Sequence, residues 1–405
     1  MVSTPQVNLA NGALLYARYA KGARTVGVSA LTLVRSDPSK RAGAASSATR
    51  PRRASNGSRS LENAPTHTAS ARDWAQVLAR YREPDLARST FELVLTASCF
   101  VVLWFLTWAA LGLGYWLSLL MAVPAAGFLV RLFMIQHDCG HGSFFRRRAT
   151  NDWVGRVIGA VTLTPYDVWR SSHAVHHASS GNLERRGIGD ITTLTVEEYL
   201  ALSRWRRLGY RLYRNPIVMF VLGPAYLFIL QHRIPIGAPR AGWRDWLSAM
   251  ATNAAIALII VVLMWLVGVQ PFLLVHLPIA LLASSIGVWL FYVQHQFEET
   301  FWAEDSGWSR HEAALHGSSH YDLPGVLRWF TANIGVHHVH HLCSRIPYYR
   351  LPQVLRNHPE LKGIGRLTLL QSFGCVRLVL WDESRRRLIS FRELAGWRRA
   401  PAPRS

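Results

Sequence analysis

Four apolar runs constrain this chain more than any other feature. Phe91 to Leu113, Tyr115 to Ile135, Leu247 to Val267 and Phe272 to Val293 carry almost no charge. A helix of about 20 such residues crosses the hydrocarbon core of a bilayer. The runs come in pairs, the first two separated by the single Gly114 and the last two by an uncharged turn, Gly268-Val269-Gln270. Each pair reads as a helical hairpin. Arg80, Arg82 and Arg88 precede the first hairpin and Arg146, Arg147 and Arg148 follow it, so the positive-inside rule places both of its ends in the cytosol. A weaker run, Ile217 to Leu230, is only 14 residues long and is interrupted by Gly223 and Pro224. That length suits an interfacial or re-entrant piece better than a crossing. The expected fold is therefore an all-α integral membrane protein. Two transmembrane hairpins supply four spans, and a cytosolic helical cap holds the functional site. Six spans would result if two weaker segments crossed as a pair. Arg131 and His276 intrude on the runs and are expected to snorkel or to pack locally.

The flanks are different in kind. Residues 1–60 hold ten Lys and Arg against the single acid Asp37, within a chain whose net charge is +21. The stretch is rich in Ala, Ser, Gly and Arg without an apolar period, a composition that cannot offset the entropy of ordering. The expected organisation is a disordered basic extension over 1–70, a membrane domain over 71–392 and a tail over 393–405. The four cysteines form no CxxC pair and imply no disulfide framework. Nothing in the charge pattern points to nucleic acid.

Three short histidine clusters follow the apolar runs. His137-Asp138-Cys139-Gly140-His141, His173-Ala174-Val175-His176-His177 and His337-His338-Val339-His340-His341 contain nine of the 17 histidines. Residues three or four apart share a helix face, so His137 with His141, His173 with His176 and His177, and His337 with His340 and His341 point together. His338 lies about 100° round the helix and is set aside, as are His311, His316 and His320. Eight converging imidazoles are too many for one ion and enough for two. Imidazole alone suits zinc, copper, iron or nickel. A two-metal site beside a membrane implies redox chemistry on a lipid-like substrate, for which zinc is inert. A histidine-rich metal transporter is the non-enzymatic alternative, but its ligands belong within the spans, near the midplane. An even number of crossings between the clusters brings all three to one side.

These clusters, in this order and with apolar hairpins between them, resemble the three histidine boxes of membrane fatty acid desaturases. Leu163-Thr164-Pro165-Tyr166, Ser180-Gly181-Asn182-Leu183, Tyr213-Arg214-Asn215-Pro216, Phe291 through Glu298 and Asn333-Ile334-Gly335 through Leu342 are similar to the bacterial acyl-lipid branch. The resemblance spans roughly residues 72–392. It implies that His137, His141, His173, His176, His177, His337, His340 and His341 ligate two iron ions, with His295 as the ninth ligand. Asp138 would orient a ligand imidazole through its second nitrogen. The short first box implies acyl chains of membrane lipids as substrates, O2 as co-substrate and a cis double bond as product. Hydroxylases and carotenoid ketolases share similar boxes. No haem-binding HPGG occurs, Asn357-His358-Pro359-Glu360 being the nearest stretch. Electrons would therefore come from a separate carrier, a ferredoxin, a flavodoxin-type protein or a cytochrome. The implied location is a bacterial inner membrane with the clusters on its cytosolic side.

Overall fold

The computed structural model describes residues 71–236, 238–239 and 242–397. The basic extension over 1–70 and the final residues 398–405 lie outside the described part. Among the described residues four helices are long and apolar enough to cross a membrane: α1 (Leu86–Ala110), α2 (Tyr115–His141), α6 (Trp243–Val267) and α7 (Val269–His295). These are the four expected spans, but the helices outrun the apolar text. α2 continues past Ile135 to His141 and α7 past Val293 to His295. A helix ends where its last carbonyls find other partners, not where hydropathy falls. For α2 that end is Gly142, whose left-handed φ of 68° lets its amide turn back onto Asp138 and Cys139. The first histidine cluster is thus the last turns of the spanning helix itself. Gly114 and Gly268 open the hairpin turns with φ of 147° and 89°, values at which a side chain is strained.

α2 is the most buried span and packs against both α1 and α7, whereas α6 is the least buried. Leu258, Val261 and Trp265 project outward from α6 and mark a face suited to lipid. Between the hairpins, α5 (Arg204–Tyr213) leads into Val218–Arg233 through a bend of 60°. This second piece is wound as wide π turns on both sides of Gly223–Ala225. It does not cross alone, because the second and third clusters lie together with α6 and α7 between them.

The cap adds α3 (Arg148–Val161), α4 (Tyr166–Ser179) and α8 (His337–Leu342). Short strands stitch its helices together. β1 (Leu194–Thr195) runs parallel to β4 (Leu380–Asp382), which pairs antiparallel with β5 (Arg387–Ile389). β2 (His320–Asp322) runs parallel to β3 (Arg366–Thr368). The C-terminal third is therefore laced back onto the loops that follow the second cluster.

Of the two readings open for Arg131, snorkelling and local packing, the structure has the packed one. Arg131 lies ten residues before the end of α2, about 15 Å along the helix at a rise of 1.5 Å per residue, and it does not snorkel. Its side chain is buried and ion-paired with the equally buried Glu92 of α1, a charge overlooked in the first apolar run. The guanidinium also donates to the Trp329 carbonyl and sits 4.1 Å over the Trp329 ring. His276 does pack locally, stacked on Phe272 and within 3.4 Å of the Trp104 indole nitrogen.

Candidate metal centre

Each histidine box lies on a helix, and helical period decides where its rings go. α2 brings His137 and His141, four apart, to one side of its last turns. α4 presents His173, His176 and His177, and α8 presents His337, His340 and His341. His295 ends α7. All nine meet, and they divide into two sets. The first holds His137, His141, His173, His177 and His340, and the second His176, His295, His337 and His341. Within each set the ligand nitrogens lie within 4.8 Å of one another. The division follows a rule: every i, i+4 pair stays in one set, while His176 and His340, one residue before each box's end, cross to the other.

The separations have a chemical meaning. In the first set Nε2 of His173 lies 3.0 Å from that of His141 and 3.1 Å from that of His177, which in turn is 3.2 Å from that of His340. In the second, Nε2 of His295 lies 3.2 Å from that of His176 and 3.0 Å from that of His337, which is 3.1 Å from that of His341. An imidazole nitrogen has one in-plane site, either a proton or a lone pair. A nitrogen shared between two such contacts cannot hydrogen-bond both. A common cation satisfies all of them: ligand nitrogens about 2.1 Å from an ion stand about 3.0 Å apart at neighbouring octahedral corners and about 3.4 Å apart in a tetrahedron. The donor set therefore fits two metal ions with imidazole ligands.

The far sides of the rings support the same tautomer. His176 Nδ1 is 2.5 Å from Asp190 Oδ1, His295 Nδ1 donates to the Gly317 carbonyl at 3.0 Å, and His137 Nδ1 is 3.2 Å from Asp138 Oδ1. A proton held on Nδ1 leaves the Nε2 lone pair facing inward. Burial first, and the neighbouring imidazoles second, hold His173, His177, His337, His340 and His341 well below the ordinary imidazole value. The rings are neutral, which is the form that binds metal. The two sets abut through His177 and His341, stacked with centroids 4.1 Å apart.

Asp138 stands where expected, beside His137, and its second oxygen accepts the Tyr348 amide at 2.7 Å. His338 does point away from both sets. It is fully buried rather than solvent-facing, with Nε2 2.9 Å from the Leu361 carbonyl. His320 is also buried, against the Lys362 carbonyl, while His316 is half exposed beside Glu312. Asp190 went unrecognised in the sequence: it lies 14 residues beyond His176 in an irregular loop, with no period to reveal it. Trp169 was missed too. Its ring stacks on His173 at 4.7 Å, and a Cβ at Gly140 would come within 2.8 Å of it. The glycine of the first box thus makes room for the indole that backs the second.

Known proteins are similar to this chain over much of its length. The fatty acid desaturase family model matches residues 113–366, more than half of the 405. A Bacillus subtilis fatty acid desaturase is 44% identical over 317 residues, covering 78% of this chain and 90% of that protein. A Synechocystis sn-1 oleoyl-lipid 12-desaturase is 31% identical over 55% of this chain and 63% of its own length. An sn-1 acyl-lipid omega-3 desaturase (ferredoxin) from the same organism is 30% identical over 54% of this chain and 61% of its own. The chain thus spans somewhat less than two thirds of these two cyanobacterial relatives. With three ordered histidine boxes converging at the ends of two apolar hairpins, and with matches of this extent, the chain belongs to the fatty acid desaturase family.

Proposed function

We propose that this protein introduces a cis double bond into fatty acyl chains of membrane lipids, using O2 and two electrons from a separate carrier. The observation that carries the reading is the pair of buried, carboxylate-poor histidine sets at the ends of membrane helices. Overall, two adjacent methylenes, O2, two electrons and two protons give an alkene and two waters. Iron at both sets supplies, when bound, the O2-dependent oxidising power that an unactivated C–H bond requires. The protein contributes the rest. His137, His141, His173, His177 and His340 hold one ion and His176, His295, His337 and His341 the other. Asp190, Asp138 and the Gly317 carbonyl fix ring orientation. Burial keeps the imidazoles of His173, His177, His337, His340 and His341 neutral and keeps water from the site. No paired acid and base is needed, because the substrate hydrogens are not acidic. The ligands come from helix ends and the cap rather than from mid-span, which disfavours a transporter. The basic residues flanking the first hairpin support placing the boxes on the cytosolic side of a bacterial inner membrane. A ferredoxin, flavodoxin-type protein or cytochrome is the electron source.

The test is to express the full chain with a ferredoxin and its reductase in a host of simple lipids, then analyse fatty acids by gas chromatography–mass spectrometry. A new monoenoic or dienoic acid, absent from a His337→Ala control, is the expected result. A hydroxylated product would keep the metal chemistry and change the reaction. Unaltered lipids from iron-loaded, membrane-inserted protein would overturn the reading.

Asp190 provides a second check. Removing the partner of a ligand imidazole typically costs 10- to 100-fold, roughly, in metal affinity. Asp190→Ala is expected to release iron to a chelator at about that lower concentration, while Asp190→Asn, which retains an acceptor for His176 Nδ1, loses less. Equal retention in both variants would show that Asp190 does not support the site.

A further inference from the structure

We propose that the groove between α5 and the helix Phe391–Trp397 binds the phosphate of an anionic phospholipid headgroup. Its volume is about 310 Å³, and Arg204, Arg207 and Arg211 line it together with apolar Leu200, Leu208 and Phe391. The three arginines recur at i, i+3 and i+7 and so share one face of α5. Two are held in place. Arg211 donates from Nε to the Tyr199 hydroxyl at 2.8 Å and lies 4.7 Å over the Phe391 ring, while Arg207 donates to the Leu200 carbonyl at 2.5 Å. Arg207 Nε is buried and has no partner among the described residues. Among the described residues no carboxylate lines the groove. Of the acids on the adjoining helices, Glu198 pairs with Arg186, and Glu393 with Arg387 and the Ser390 amide. Three arginines therefore line a concave surface that has no carboxylate among its described lining residues.

The setting identifies the anion. Trp205, Leu208 and Leu212 form an exposed apolar stripe along α5. Beyond the bend it continues as exposed Ile217, Leu222, Tyr226 and Leu230. An amphipathic helix with Trp, Leu and Arg, joined to an apolar re-entrant piece, lies in the headgroup layer. The groove thus opens where phosphodiesters are densest, and its mixed lining suits a phosphate attached to an apolar body. The site is independent of the oxidation chemistry, so its failure would leave the desaturase reading intact.

The experiment reconstitutes the full-length protein in nanodiscs of phosphatidylcholine and phosphatidylglycerol in equal parts, strips loosely held lipid with detergent, and counts retained lipid by native mass spectrometry. Wild-type protein is expected to retain phosphatidylglycerol selectively. Arg204→Gln/Arg207→Gln is expected to lose that selectivity by about tenfold or more, since hydrogen bonds to a charged group contribute 1.5–3 kcal/mol, roughly. Arg345→Gln, which changes one exposed arginine elsewhere, controls for charge and should behave as wild type. Equal retention of both lipids by wild type overturns the proposal. So does displacement by soluble glycerol phosphate as readily as by phosphatidylglycerol, which would mark a free-phosphate site. A double variant that keeps its lipid selectivity but shows a raised KM for reduced ferredoxin would reassign the groove to the electron carrier and equally overturn it.

Discussion

His295→Ala is expected to lower bound iron from two ions per chain, one for each histidine set, to one, and to bring desaturated product to background. His295 is the central member of the four-histidine set, in contact with both His176 and His337 at 3.2 and 3.0 Å. Four-ligand sites bind with about 10–16 kcal/mol, so one ligand represents about 3 kcal/mol, or a factor of more than 100 in affinity. The five-histidine set has a ligand more, and His340→Ala should therefore retain more iron than His295→Ala. His338→Asn is the contrasting variant. His338 is as buried as the two histidine sets, yet its Nε2 faces outward, 2.9 Å from the Leu361 carbonyl. Losing that bond is expected to lower stability by about 1–3 kcal/mol with the iron content unchanged. The measurements are iron per protein by mass spectrometry of the purified chain and thermal unfolding in detergent. Two ions retained in His295→Ala with wild-type product would remove His295 from the site.

Glu92→Leu is expected to be among the most destabilising single changes in the spans. It strands the Arg131 guanidinium, which is buried inside the α1–α2 pair, and breaking one half of such a pair costs about 3–5 kcal/mol. Glu92→Leu/Arg131→Met removes both charges and is expected to recover most of the loss, because apolar replacements of a buried ion pair are often neutral. The network also reaches the metal site. Tyr348 donates its hydroxyl to Glu92 at 3.1 Å and its amide to Asp138 at 2.7 Å, and Asp138 faces His137. If thermal unfolding of the reconstituted protein shows the single variant as stable as wild type, the pair is not a structural link between α1 and α2.

The two hairpins and the three boxes were legible in the sequence because both are local. A crossing helix depends on a contiguous run of about 20 apolar residues, and side chains four apart meet on a helix wherever it sits. Where the chain is governed by distant contacts, local text was silent. Glu92 finds Arg131 across 39 positions, and His176 finds His295 across 119. The loop carrying Asp190 acquires its place only when β1 pairs with β4, some 185 residues later. Period and hydropathy therefore determined which segments span and which side chains face inward. Tertiary packing alone decided how nine imidazoles divide, which acids support them, and that a charge within α2 is paired rather than drawn out to water. Burial makes a lone charge or a lone polar atom expensive, and the partner that relieves it can lie anywhere along the chain.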